Sequence, residues 1–169
     1  RPVVRKYYRT PVAVDVKADD SPVTIADREV ERTMRDILNA ELPDHGILGE
    51  EHGRENVDAE YVWVLDPIDG TKSFIAGKPS FATLIALCHK GTPVLGIIDQ
   101  AIPDERWVGV VGQPLTLIRI GSRPRVAGGL SRWTFFHSHP RPFKAPVANA
   151  YAPPSHNRRV APAGSGDQP

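Results

Sequence analysis

Apolar and polar positions along the chain fall into one helical stretch followed by a series of strand-like runs. From Ser21, the segment SPVTIADREVERTMRDILNAEL spaces Ile25, Val30, Met34, Ile37 and Leu38 so that they line one face of a helix. Thr24 stands where an N-cap belongs and Asp27 follows three residues later, so two helix-start amides find acceptors, and a helix is predicted to begin there. Residues 1–16 are apolar and basic and read as the end of an element. After Pro43, the run from His45 to Gly49 predicts a short strand that delivers Glu50 and Glu51, followed by a polar loop to Glu60. Tyr61-Val62-Trp63-Val64-Leu65 predicts a strand covered on both faces that stops at Asp66-Pro67, because proline cannot donate to a ladder. Phe81 to Cys88, Pro93 to Gln100 and Glu105 to Val111 read as three further strands, with Lys90-Gly91 as the turn of an antiparallel meander. The expected fold class is α/β, in α+β layers, with a mixed, largely antiparallel sheet flanked by helices.

Composition adds an organisation. A chain of 169 residues that is 40% hydrophobic and 24% charged supports one globular unit with a core. Every acid except Asp167 precedes Gln113, whereas nine of the 17 prolines follow it. This change predicts a packed part over residues 1–120 and an irregular Pro/Arg-rich tail over 121–169. A formal net charge of +1 argues against a dedicated nucleic-acid surface. No run of 18 apolar residues and no signal-peptide pattern occurs, so no membrane is expected and the cytoplasm is the default. The chain opens at Arg1 rather than at methionine, which leaves room for a leader or an ordinary start ahead of it. Cys88, the single cysteine, sits in an apolar run and reads as a buried inert thiol.

The chemistry concentrates in Asp66-Pro67-Ile68-Asp69-Gly70-Thr71-Lys72-Ser73-Phe74. Two carboxylates three residues apart at the carboxyl end of a buried strand repel one another, and a divalent cation is the simplest compensation. Oxygen ligands without His or Cys nearby fit Mg2+ better than zinc. Gly70 and Thr71 permit a tight turn whose free N–H groups suit a phosphate. Taken alone, Asp66 and Asp69 also fit a solvated Asp-Pro, Asp-Gly turn, and Asp27 also fits a helix-start acid favoured by the dipole. Glu51 reads as a solvated neighbour of Glu50. His137 and His139 are spaced to chelate but lack a third ligand, and Trp63, Trp107 and Trp133 read as packing residues.

DPIDGT at Asp66 to Thr71, GEE at Gly49 to Glu51 and SPVTIAD at Ser21 to Asp27 together resemble, in order, the signatures of the inositol monophosphatase family. The likeness spans roughly residues 17–111, and DGTKSF, GKPSF and GIIDQ look most like the histidinol-phosphate phosphatase branch. The resemblance implies a Mg2+-dependent phosphomonoester hydrolase. Glu50, Asp66, Asp69 and the Ile68 carbonyl would ligate metal. Glu50, Asp27 and Thr71 would activate the attacking water, while Asp69, Gly70, Thr71 and Lys17 would contact substrate. Its partner would be a small phosphorylated alcohol, histidinol phosphate first, with inositol phosphate or a 3′(2′),5′-bisphosphate nucleotide as the alternative.

Members of that family continue into a second half with a Trp-Asp motif that completes a second metal site, and no such motif occurs here. The helix usual before the first motif is also expected to be missing. The sequence therefore predicts a family fragment with an incomplete sandwich, whose tail has the character of a frame-shift product. A non-catalytic metal-binding fragment or pseudoenzyme is the rival of another class. Strand edges that a second half would cover are expected to favour homodimerisation or aggregation.

Overall fold

The computed structural model describes residues 1–119 and 123–126. The stretch read as the end of an element contains a short helix, α1 (Pro2–Tyr7), so a helix does precede the first motif, against the expectation that none would. A two-stranded ribbon follows, β1 (Val14–Val16) and β2 (Pro22–Thr24), and leads directly into α2 (Ile25–Glu41). The remaining strands form one sheet in the order β10-β9-β8-β7-β6-β5-β3-β4. Their ranges are β3 (Gly46–Gly49), β4 (Arg54–Glu55), β5 (Tyr61–Asp69), β6 (Ala82–His89), β7 (Thr92–Gln100), β8 (Glu105–Val110), β9 (Thr116–Arg119) and β10 (Arg125–Val126). A one-turn helix, α3 (Thr71–Ile75), leaves the end of β5. Among the described residues, β3 and β5 alone pair in parallel, and the other neighbours in this sheet are antiparallel. This is the mixed, largely antiparallel sheet that the patterning predicts.

The β6–β7 turn forms because Lys90 and Gly91 both take positive φ, 49° and 79°, as a two-residue hairpin connection requires. The helix start also forms as read: Thr24 caps α2 and Asp27 closes a capping box. The buried face of that helix differs from the expected one. Ile25 and Ile37 are exposed, while Ala26, Asp27, Val30, Glu31 and Arg35 point inward. Polar side chains take part of the stripe because backbone groups beneath it need partners: the amides of Thr24, Glu51 and His52 donate to Asp27 and Glu31, and the Gly53 carbonyl accepts from Arg35. The polar stretch before Glu60 contains a short strand, β4, rather than loop alone.

Two features of β5 correct the sequence reading. Its first residues are exposed or half-buried rather than covered on both faces, with full burial reached at Leu65. The strand also continues past Pro67. Asp66 pairs with Leu84 and Asp69 with Ala82, so Pro67 and Ile68 together stand opposite the single residue Thr83. This is a β-bulge, one of the few places where a proline fits inside a sheet. Thr83 Oγ1 donates to the Pro67 carbonyl at 2.8 Å and secures the kink.

The core sits where the three helices meet the end of β5. Val4, Ala26, Val30, Ile68, Phe74, Phe81 and Ala101 form its buried cluster. Phe74 and Phe81 pack edge to face at 5.1 Å, with Tyr8 tilted against both. Burying an aromatic side chain there contributes on the order of 2–3 kcal/mol, and Phe74 anchors α3 immediately beyond the Asp69-Gly70-Thr71 segment. The predicted divide at residue 120 and the residues His137, His139 and Trp133 lie outside what these elements describe. Among the described residues, no helix is long and apolar enough to cross a membrane.

Candidate functional site

The bulge decides which way the two aspartates face. Successive strand residues point to opposite faces, so positions 66 and 69 would diverge in a regular strand. One inserted residue restores the pair to a common side. Asp66 then lies in the field of both Asp69 and Glu50, with the Glu50 carboxyl within hydrogen-bonding reach. Burial is the largest cause, and these neighbouring charges add to it, pushing the Asp66 carboxyl up to about 9.

Glu50 arrives from the other side of the parallel pair. Its N–H donates to the Leu65 carbonyl at 3.2 Å, tying the turn after β3 to β5 beside Asp66. Lys17, in the turn of the β1–β2 ribbon, donates Nζ to Glu50 Oε1 at 2.9 Å and to Glu51 Oε1 at 2.5 Å. Burial weakens the Lys17 ammonium, but the two carboxylates outweigh it and hold the group above its ordinary range. Glu51 is thus not the solvated neighbour expected: its side chain is 5% exposed and paired. Burial raises its carboxyl, with Lys17 opposing.

Asp27 occupies the floor, 2% exposed. Its Oδ2 accepts from Thr24 N–H at 2.8 Å and from Thr24 Oγ1 at 2.6 Å, leaving Oδ1 to face Thr71 Oγ1 at 3.3 Å. Burial pushes Asp27 up against the lowering effect of those bonds. The Thr71 hydroxyl also lies 3.1 Å from the Ile68 carbonyl. Gly70 makes the turn possible: its φ is 95°, and an added Cβ would meet the Ser80 carbonyl at 3.2 Å.

The structure therefore brings Lys17, Asp27, Glu50, Asp66, Ile68, Asp69, Gly70 and Thr71 to one corner, between the α2 start, the β3 end and the β5 bulge. Among the described residues, no group of three His, Cys, Asp or Glu side chains is already drawn together as a metal cage. One oxygen nevertheless calls for a cation. Asp66 Oδ1 is the buried side-chain polar atom without a hydrogen-bond partner among the described residues, and such an orphan is costly unless something compensates it. With carboxylates and a carbonyl as the neighbouring donors, the set fits a hard ion such as Mg2+.

Sequence patterning did not single out Glu31 and Arg35, which support this corner from below. The available signal was their spacing. Asp27, Glu31 and Arg35 recur every four residues, a polar row in register with the helix, and they coincide with its buried side.

Comparison with known proteins gives the corner a context. A bifunctional phosphatase of Arabidopsis thaliana named IMPL2, chloroplastic, is 47% identical over 152 residues, covering 89% of this chain and 44% of that protein. A histidinol-phosphatase of Mycobacterium tuberculosis is 40% identical over 111 residues, covering 66% and 43% respectively. Among solved structures, an inositol monophosphatase from Zymomonas mobilis is 53% identical with a TM-score of 0.56, covering 69% of this chain and 44% of that one. The chain thus spans less than half the length of these curated relatives. The inositol monophosphatase family model matches residues 1–151, and the chain belongs to that family.

Proposed function

We propose that this chain carries the metal-binding half of a Mg2+-dependent phosphomonoesterase acting on a small phosphorylated alcohol, with histidinol phosphate as the leading substrate. The observation that carries the reading is the orphaned, buried Asp66 Oδ1 set beside Glu50 and Asp69, one bulge away from Thr71. Glu50, Asp66, Asp69 and the Ile68 carbonyl are the groups that would hold the ion. A divalent ion bound there supplies a water of lowered pKa and offsets phosphate charge.

The protein's own contribution is orientation. Thr71 Oγ1 has Asp27 Oδ1 and the Ile68 carbonyl as acceptors for its proton. Its lone pairs are left to receive a hydrogen bond from a water on the open side. Asp27 is itself held by Thr24, so this direction is set by the helix cap rather than by a loop. Lys17, balanced between Glu50 and Glu51, places a positive charge where an approaching phosphate needs one.

Histidinol phosphate is preferred because GKPSF and GIIDQ accompany the signatures and the Mycobacterium tuberculosis relative bears that name. The Zymomonas mobilis likeness favours inositol phosphate as a second reading. Lys17 on Glu50, with no ready three-carboxylate cage among the described residues, favours a third: a metal-binding or non-catalytic piece. Phosphate release from histidinol phosphate, inositol 1-phosphate and adenosine 3′,5′-bisphosphate, with and without magnesium, separates them. Magnesium-dependent turnover of the first alone is expected. Turnover of another substrate alone replaces the preferred one, and no turnover of any favours the third reading.

A further inference from the structure

Glu31 is fully buried on α2, one helical turn beyond Asp27. A buried carboxylate is tolerated only when its charge is met by good donors, and here three converge. Glu31 Oε2 accepts from the backbone N–H of Glu51 at 2.7 Å, and Oε1 accepts from the backbone N–H of His52 at 3.1 Å and from Arg35 Nε at 2.8 Å. Arg35 in turn donates Nη2 to the Gly53 carbonyl at 2.5 Å and Nη1 to Glu55 at 3.1 Å. The turn closes on itself through Gly49 N–H to the Gly53 carbonyl at 2.8 Å. Gly49 has no room for a side chain: a Cβ would stand 1.9 Å from Glu31 Oε1. The carboxylate and guanidinium therefore grip, from beneath, the backbone on which Glu50 is carried.

An ion pair that served the helix alone would not direct two acceptor positions at the amides just after Glu50. Resting on the phosphatase reading of the site, we infer that Glu31 is a positioning residue, which fixes the Gly49–Gly53 turn so that the Glu50 carboxylate faces Asp66 and thereby sets the affinity for the divalent cation. Removing such a supporting group typically weakens metal binding by about 10–100-fold.

Glu31→Gln tests this in the full chain. The amide keeps the shape but turns an N–H2 toward donors, so one of the three loses its acceptor. The magnesium concentration giving half the maximal rise in unfolding temperature is expected to increase by at least about tenfold. Amide exchange in chelator is expected to quicken at Glu51 and His52. Val30→Ala, a core truncation at a 6% exposed position on the same helix, is expected to lower the unfolding temperature without moving the magnesium requirement. An unchanged requirement in Glu31→Gln, or an equal shift in Val30→Ala, overturns the positioning role. Should Glu31→Gln not fold, Arg35→Lys leaves the carboxylate and strips the fork from Gly53, and a magnesium requirement unmoved there overturns it too. A parent chain whose unfolding temperature ignores magnesium refutes the phosphatase reading itself, a failure distinct from a parent that responds and a variant that does not.

Discussion

With its carboxyl pushed up to about 9, Asp66 is expected to be a neutral acid at pH 7 in a chelator. Its carboxyl is raised to about 9 by burial first and by Glu50 and Asp69 next, so ionising it at pH 7 costs about 3 kcal/mol, two pH units at about 1.4 kcal/mol each. Asp66→Asn replaces that neutral acid with a neutral amide of the same shape. In chelator the two are expected to match, within about 1 kcal/mol, only at about pH 4 and below; by pH 7, 3.2 units above the usual 3.8 at about 1.4 kcal/mol each, the variant is the more stable by up to about 4 kcal/mol. The two must then part with pH. A carboxyl raised above its usual 3.8 contributes stability that is fully present below that value and is lost as pH rises through about 9. The parent should therefore weaken relative to the variant between pH 6 and pH 9, by at most about 1.4 kcal/mol per unit. Magnesium acts in the opposite direction. At a hundred times its dissociation constant it adds about 2.7 kcal/mol to a protein that binds it, a rise in melting temperature of roughly 10 °C for a domain of this size, and the variant gains none. Melting curves at four pH values, with EDTA and with magnesium, read all of this. A loss of several kcal/mol by Asp66→Asn in EDTA would instead make Asp66 an ionised structural acceptor. Equal stabilisation of both chains by magnesium would remove Asp66 from the groups that hold the ion.

Thr71→Val removes the hydroxyl that faces Asp27 and the Ile68 carbonyl; phosphate release should fall about a hundredfold with KM little changed, and retention of kcat within a few-fold would reduce Thr71 to a turn residue. Asp99 provides the acid limb: burial pushes it up, yet Arg1 Nε at 2.9 Å and Arg106 Nε at 2.7 Å outweigh burial and hold its carboxyl below 3.8. That stability is present above the ordinary carboxylate range and is lost as pH falls below it. Arg106→Gln should accordingly raise the midpoint of acid unfolding by circular dichroism, with a cost at neutral pH of about 1 kcal/mol or less, and an unmoved midpoint would show the pair to be inert.

The legible and illegible parts of this chain differ by the range of the interactions involved. The α2 start was legible because Thr24 and Asp27 satisfy amides within their own first turn, and the β6–β7 turn because Lys90-Gly91 needs only its own dihedrals. The sheet followed from continuous apolar runs. The bulge was not legible: Pro67 reads as a strand terminator, and only the partner strand, through Thr83, shows that one extra residue is accommodated. Glu51 looked solvated because the partner that meets its charge, Lys17, lies 34 residues away. Glu31 and Arg35 escaped for a like reason, since charges on a helix are ordinarily assigned to water, and the backbone amides that meet Glu31 and the Gly53 carbonyl that meets Arg35 belong to a turn about twenty residues on. For the candidate site, the short motifs supplied the residues and the fold supplied their meeting.

The spare residue at Pro67 and Ile68 makes spacing a stricter constraint on this corner than side-chain identity. A substitution at either position alters packing around an intact arrangement. Shortening the segment by one would restore the regular pleat and send the carboxylates at either end to opposite sides of the sheet. The corner behaves like a combination in which the interval between the two acids, more than what fills it, is the part that has to be kept.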